Sequence, residues 1–264
     1  MSDITHWLVA TFVVLLASAV QGLTGFGFAI LAVPLLALVL ESHQAVAVCT
    51  VLSVISVIGM WWLTRRQDRL PISGRLFAAA LVGLPLGVLA LGFLAASWLK
   101  LGAGLATLAV TAVVVARTIV IGSRRMPRDD ADAPPIALQA KATFPAGLLS
   151  GFLTGCLAMP GPPIVVLLSG GGVPKAIYRA TLLAYFAMIY PVASIAMGAS
   201  GLISHHDVAI GLSHVPALGV GAWLGDILHD RIRESVFTNL SLLLLAGSGL
   251  ACVWAAMMSL AGSG

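Results

Sequence analysis

An apolar run from about Trp7 to Leu40 is interrupted by Gln21-Gly22-Leu23-Thr24-Gly25-Phe26-Gly27-Phe28. As one straight helix, residues 6–40 would measure roughly 50 Å at 1.5 Å per residue. The hydrocarbon core of a bilayer is only about 30 Å thick and is crossed by about 20 residues. The run therefore has to break, and its glycines mark the place.

A second copy of the feature follows later in the chain. Gly151-Phe152-Leu153-Thr154-Gly155 precedes Met159-Pro160-Gly161-Pro162-Pro163 and the apolar stretch Ile164 to Leu168. Leu23-Thr24-Gly25 and Leu153-Thr154-Gly155 are identical. A proline follows each copy (Pro34, Pro163), and the copies lead on to Thr50-Val51-Leu52 and Thr181-Leu182-Leu183. Interrupted hydrophobic segments in corresponding halves point to the binding site of a secondary transporter.

Composition agrees with a chain built for lipid. Hydrophobic residues make up 59% and charged residues 9%, against about 25% charged in a soluble domain, and the mean hydropathy is +1.05. A transmembrane barrel is disfavoured because its strands alternate polar and apolar residues over short segments. Cys49, Cys156 and Cys252 sit inside apolar runs without paired spacing, which reads as buried thiols rather than a disulfide framework or a zinc site. The opening Met1-Ser2-Asp3-Ile4-Thr5-His6 lacks the positive n-region of a signal peptide and is read as the start of a retained first helix.

The longest polar stretch, Ser123 to Lys141, is charged and proline-bearing. It divides the chain into a first repeat over residues 1–122, a linker over 123–142 and a second repeat over 143–264. Its charge reads as a solvated linker, not a nucleic-acid site. If each broken segment crossed once, the Arg65 loop and the linker would face one side, and Lys175, Arg179, Arg231 and Arg233 the other. If each instead folds back, as two crossings or as a re-entrant pair of half-helices, those charges share one side and only Lys100 stands opposite. The positive-inside rule prefers the second arrangement. It places the basic loops in the cytoplasm and both termini outside. The basic loop comes one helix later in the second half than in the first, so the halves are expected to be inverted. The fold expected is an all-α polytopic membrane protein of two inverted repeats, each a broken or re-entrant helical hairpin plus three transmembrane helices.

Gly22-Leu23-Thr24-Gly25-Phe26-Gly27-Phe28 running into Val33-Pro34-Leu35-Leu36 resembles the first signature of the sulfite exporter TauE/SafE family of membrane permeases. Gly161-Pro162-Pro163-Ile164-Val165 with Tyr178-Arg179-Ala180-Thr181-Leu182 resembles its second-half counterpart, and Leu218-Gly219 to Gly225 with Asp230-Arg231-Ile232 its closing segment. The resemblance covers essentially the whole chain. It implies movement of a small anion such as sulfite, a sulfonate or a related organic acid across the cytoplasmic, or inner, membrane. Gly155-Cys156-Leu157-Ala158-Met159 departs from the glycine-rich run of many members.

A helix interrupted inside the membrane exposes amide N–H groups and a partial positive charge at the start of its second part. Phe26 to Ile30 and Pro162 to Val166 are the expected donors of two such ends. The expected anion site therefore takes in Gln21, Thr24, Gly25, Phe26, Gly27, Thr154, Gly155, Gly161 and Pro162, with Thr50 and Thr181 adding hydroxyls. The competing explanation of the glycines is close helix packing. Arg179 either attracts anions or reaches to lipid headgroups. Tyr185 and Tyr190 are cavity linings or packing, and His214 either carries a coupled proton or is a structural histidine beside Pro216.

No nucleophile–base pair, metal-ligand spacing or nucleotide loop lies in the helices, so neither enzyme activity nor a cofactor is expected. The expected partners are a small anion and the bilayer, with a proton or sodium as the open choice of coupling ion and the oligomeric state open. A channel or a subunit of a larger complex is the alternative function.

Overall fold

The computed structural model describes residues 2–24, 27–64, 72–122, 136–169, 175–229 and 234–261. These form eleven helices, and no strand occurs among the described residues. The first half holds α1 (Ser2–Thr24), α2 (Phe28–Leu36), α3 (Ser42–Thr64), α4 (Ile72–Phe93) and α5 (Ala96–Gly122). The second half holds α6 (Ile136–Leu157), α7 (Gly161–Ser169), α8 (Lys175–Ala199), α9 (His205–Ser213), α10 (Val215–His229) and α11 (Glu234–Ala261). Six of the helices are long and apolar enough to cross a membrane, and the bent pair α9–α10 brings the number to seven. Their outward positions are apolar as well, among them Phe12, Leu89, Leu243 and Met257, which suits faces solvated by lipid rather than water. The protein is an all-helical, multi-pass membrane protein.

α6 begins at Ile136, inside the stretch read from sequence as linker. Each half then runs a long helix, a nine-residue helix and three further long elements. The packing respects that order. α1 lies along α10 and α6 along α4, while α3 packs on α8 and α5 on α11. Exchanging the halves turns the first of these pairings into the second and leaves the other two unchanged.

Glycine builds the closest pairing. Gly147, Gly151 and Gly155 recur every fourth residue on α6 and face α4, whose Gly83 and Gly87 face back. A Cβ on Gly155 would lie 2.5 Å from the Leu84 carbonyl oxygen, and one on Gly83 would collide with the Leu148 carbonyl. Small residues at this spacing let helix backbones approach in the absence of a hydrophobic drive between them. In the other pairing Gly22, Gly221 and Gly225 play the same part, with the Ala222 carbonyl oxygen 2.6 Å from where a Gly22 Cβ would sit.

These contacts correct the internal alignment. Gly22 and Gly155 each stand two residues before the end of their helix and pack against the partner helix. Gly22 thus corresponds to Gly155, whereas the shared Leu-Thr-Gly would pair Gly155 with Gly25 and Gly22 with Phe152. The identity of the short motif is a coincidence of register.

The second break reverses the chain. Ser150 lies roughly 10 Å before the end of α6 along its axis, yet its Oγ donates to the Pro160 carbonyl at 2.6 Å. Only a chain that returns beside α6 can make that bond, and α7 accordingly packs on α6 as α2 does on α1.

The sequence reads as one helix over about Val208 to Leu224, but the structure bends there by 43° between α9 and α10. Pro216 cannot donate to the ladder, and His214 Nδ1 takes the Ile210 carbonyl at 2.7 Å, so the His214 amide turns to Gly211 instead. His205 and His206 are exposed in the first turn of α9, which Ser204 and Asp207 close with a reciprocal capping box.

Candidate functional site

The first break ends in a bare helix start. Gly27 has φ 107° and is the N-cap of α2 without a side-chain cap, a conformation that glycine adopts without a Cβ penalty. The Leu31 amide bonds the Gly27 carbonyl at 3.1 Å. The amides of Phe28, Ala29 and Ile30 precede the first helical bond, and no partner meets them among the described residues. They form the positive end of a short helix buried along nearly its whole length.

The second break is built differently. Ala158 stops α6 with φ 54°, and its amide bonds the Thr154 carbonyl at 2.9 Å. This is a left-handed helix stop of the kind usually given to glycine. α8 holds the turn that follows. Tyr190 donates to the Ala158 carbonyl at 2.9 Å, and the Tyr185 hydroxyl lies 2.8 Å from Ser150 Oγ, the donor to Pro160. α7 then opens Gly161-Pro162-Pro163. Proline has no N–H, so its first turn offers the Gly161 amide alone.

The two breaks meet. A Cβ on Gly161 would lie 3.1 Å from Ile30 Cδ1, and one cavity of about 10 Å³ is lined by Gln21, Gly27, Phe28, Ala29 and Ile30 from the first break and Met159, Pro160 and Gly161 from the second. That is room for about one water. Ser53 of α3 and Phe186 and Tyr190 of α8 complete the lining. Gln21 is 3% exposed; its Oε1 accepts from Ser56 Oγ, which leaves its amide NH2 without a partner among the described residues. Ser53 is 1% exposed, and its hydroxyl has no hydrogen-bond partner although it lies close to Tyr190, whose proton is given to Ala158.

Carbonyls and amides at this site are thus in opposite states. Several carbonyls around the breaks are engaged: Gly22 by Arg179 Nη2 at 3.2 Å, Ala158 by Tyr190 and Pro160 by Ser150, while the single Thr107 proton is shared between Ile30 at 3.0 Å and Ala103 at 2.8 Å. The amides of the α2 start, the Gln21 amide and the Ser53 hydroxyl are unspent. A cavity of this kind presents donors, which suits an anion and repels a cation.

Of the residues expected from sequence, Gln21, Gly27 and Gly161 line the cavity. Gly25 and Phe26 lie outside the described residues, as does the side chain of Thr24. Thr50, Thr154 and Thr181 each bond the carbonyl four residues back in their own helices. Gly155 packs against α4, Pro162 follows Gly161 outside the lining, and Tyr185 reaches the cavity wall only through Ser150. Arg179 caps α1 rather than facing the cavity.

His214 is 2% exposed with Nε2 unpartnered, its ring 5.4 Å from Trp7. Trp7 stands roughly 20 Å along α1 from Gln21. Ser53, Met159 and Phe186 belong to the cavity without having been singled out. Ser53 had only a weak signal, one of three hydroxyls (Thr50, Ser53, Ser56) in an apolar stretch of α3, whereas Met159 and Phe186 look like any packed side chain. Cys49, Cys156 and Cys252 are buried free thiols, as expected.

No curated protein and no solved structure matches the chain. The family model described as sulfite exporter TauE/SafE matches residues 10–252. That span holds both breaks, the cavity between them and all the helix pairings, and the chain belongs to the sulfite exporter TauE/SafE family of membrane transporters.

Proposed function

We propose that this protein is a secondary transporter that carries a small anion, such as sulfite, a sulfonate or a related organic acid, across the inner membrane. In this reading residues 1–122 and 143–264 are oppositely oriented repeats, joined by a cytoplasmic linker, that rock to give alternating access. The basic loops are cytoplasmic and both termini are outside. The anion sits against the start of α2, held by the amides of Phe28 to Ile30, the Gln21 amide and Ser53. One observation supports the proposal: two chain breaks from different halves bound a single cavity where the Ala158 and Pro160 carbonyls are engaged and the Phe28, Ala29 and Ile30 amides meet no partner among the described residues. Coupling to a proton or to sodium belongs to the same reading. His214 is the group proposed for the proton, acting from the α9–α10 bend, and counterflow under an imposed pH gradient tests it.

The decisive experiment pairs thermal stabilisation of the purified protein by sulfite, sulfate, sulfonates and small carboxylates with counterflow in proteoliposomes. At least one of these anions should raise the melting temperature and show saturable counterflow. Gly161→Val, which drives a branched side chain against Ile30 and into the cavity, should abolish both. An unchanged response in that variant would remove the cavity from the mechanism. Flux that never saturates would point to a channel.

A further inference from the structure

A hairpin of broken helices has a built-in conflict as an anion site. The start of α2 carries a partial positive charge of about half a unit, but the end of α1 carries an equal negative one. Both ends approach the same cavity, since Gln21 lines it from the last turn of α1 and Gly27 to Ile30 line it from α2. Left alone, the carbonyls of α1 would cancel much of the attraction that the amides of α2 provide.

Arg179 sits where that conflict is resolved. Its Nη2 donates to the carbonyl of Gly22, in the last turn of α1, at 3.2 Å. Its Nε is buried without a partner, and no carboxylate pairs with it among the described residues. Among the described residues the guanidinium is therefore a full charge without an ion pair, placed on a helix C-terminus. It reaches there from the opposite half of the chain. Arg179 shares a face of α8 with Phe186 and Tyr190, seven and eleven residues on, and both of those line the cavity. Along the helix axis Arg179 stands roughly 10 Å short of Phe186. Its guanidinium bonds Gly22, next to the cavity-lining Gln21, but Arg179 is not itself part of the lining, so it acts on the site through its field.

We propose that Arg179 is the positioning residue that makes the first break an anion site: by neutralising the carbonyl end of α1 it leaves the amide end of α2 unopposed. This rests on the anion-carrier reading above. A unit charge about 10 Å away in an effective dielectric near 20 changes the affinity for a monovalent anion by roughly tenfold, and the effect follows the charge rather than the shape of the side chain.

The test is sulfite counterflow in proteoliposomes containing the full chain as wild type, Arg179→Gln or Arg179→Lys. Melting temperatures are measured on each protein without substrate. Gln keeps a donor for the Gly22 carbonyl but loses the charge, and should raise KM about tenfold while kcat changes by less than about threefold. Lys keeps the charge and should restore KM to within about threefold of wild type. A Gln variant with wild-type KM would overturn the inference, as would equal losses in the Lys and Gln variants. So would a fall in melting temperature and kcat with KM unmoved, which marks a purely structural arginine. A wild-type protein that neither binds nor moves any anion overturns the carrier reading and this inference with it, whereas the three preceding outcomes leave the carrier reading standing.

Discussion

Ser53 has a buried hydroxyl that completes no hydrogen bond, although Tyr190 lies close to it, and a group left wholly unbonded costs roughly 1–3 kcal/mol. Its removal should therefore be harmless to the fold and harmful to the site. Ser53→Ala is expected to leave the melting temperature unchanged or raise it by a few degrees, while weakening anion-induced stabilisation severalfold; a matched loss of both would make Ser53 a packing residue. The threonines teach the opposite lesson. Thr50, Thr154 and Thr181 are as polar in sequence as Ser53, but each spends its hydroxyl on the carbonyl one turn back, a bond that any helical threonine can make. Which hydroxyl stays free depends on what crosses beside it, and that is a tertiary fact. Sequence could name Gln21, Gly27 and Gly161, because glycine and an isolated amide are conspicuous in a greasy run. It could not name Phe186 or Met159, which differ from other buried apolar residues only in having a cavity beside them.

At the level of helices, the breaks were legible for a reason of length: an uninterrupted run would have overshot the bilayer, and glycine and proline say where it yields. Their glycines carry two separate duties that sequence merges. Gly27 sets a left-handed turn, while Gly22, Gly83, Gly151 and Gly155 exist to admit a neighbouring backbone. Close packing, the alternative weighed against a binding role, is what Gly155 does. Gly83→Ala should cost about 3 kcal/mol or prevent folding, since the added carbon meets backbone that cannot step aside. Gly219→Ala, with nothing within 4 Å of the new carbon, should be neutral or stabilising by up to about 1 kcal/mol. Thermal denaturation in detergent distinguishes them, and equal effects would discount the α4–α6 seam. The α9–α10 bend is not legible in the sequence, because membrane helices tolerate a proline such as Pro216; at the bend the side chains of both Ser213 and His214 bond the Ile210 carbonyl.

Across the molecule, the membrane class of the protein was plain from 59% hydrophobic and 9% charged residues, while the division into two repeats belongs to the proposal. The pairings between halves had no local signature, because they are made by interchangeable leucines, alanines and glycines. Orientation in the membrane is proposed from charge placement alone. Single cysteines introduced as Ser2→Cys and Ser123→Cys in a background lacking the three native thiols give the check: an impermeant maleimide added outside cells should label the first and spare the second, and the reverse pattern would turn the protein over. The contact between Ile30 and Gly161 has one more effect. In the anion-carrier reading, with space for about one water between them, an oxyanion of several heavy atoms enters as the two short helices part. Each binding event in that reading includes the work of prising them open, and the affinity measured at equilibrium understates the strength of the grip by the fraction of time the pair stands ajar.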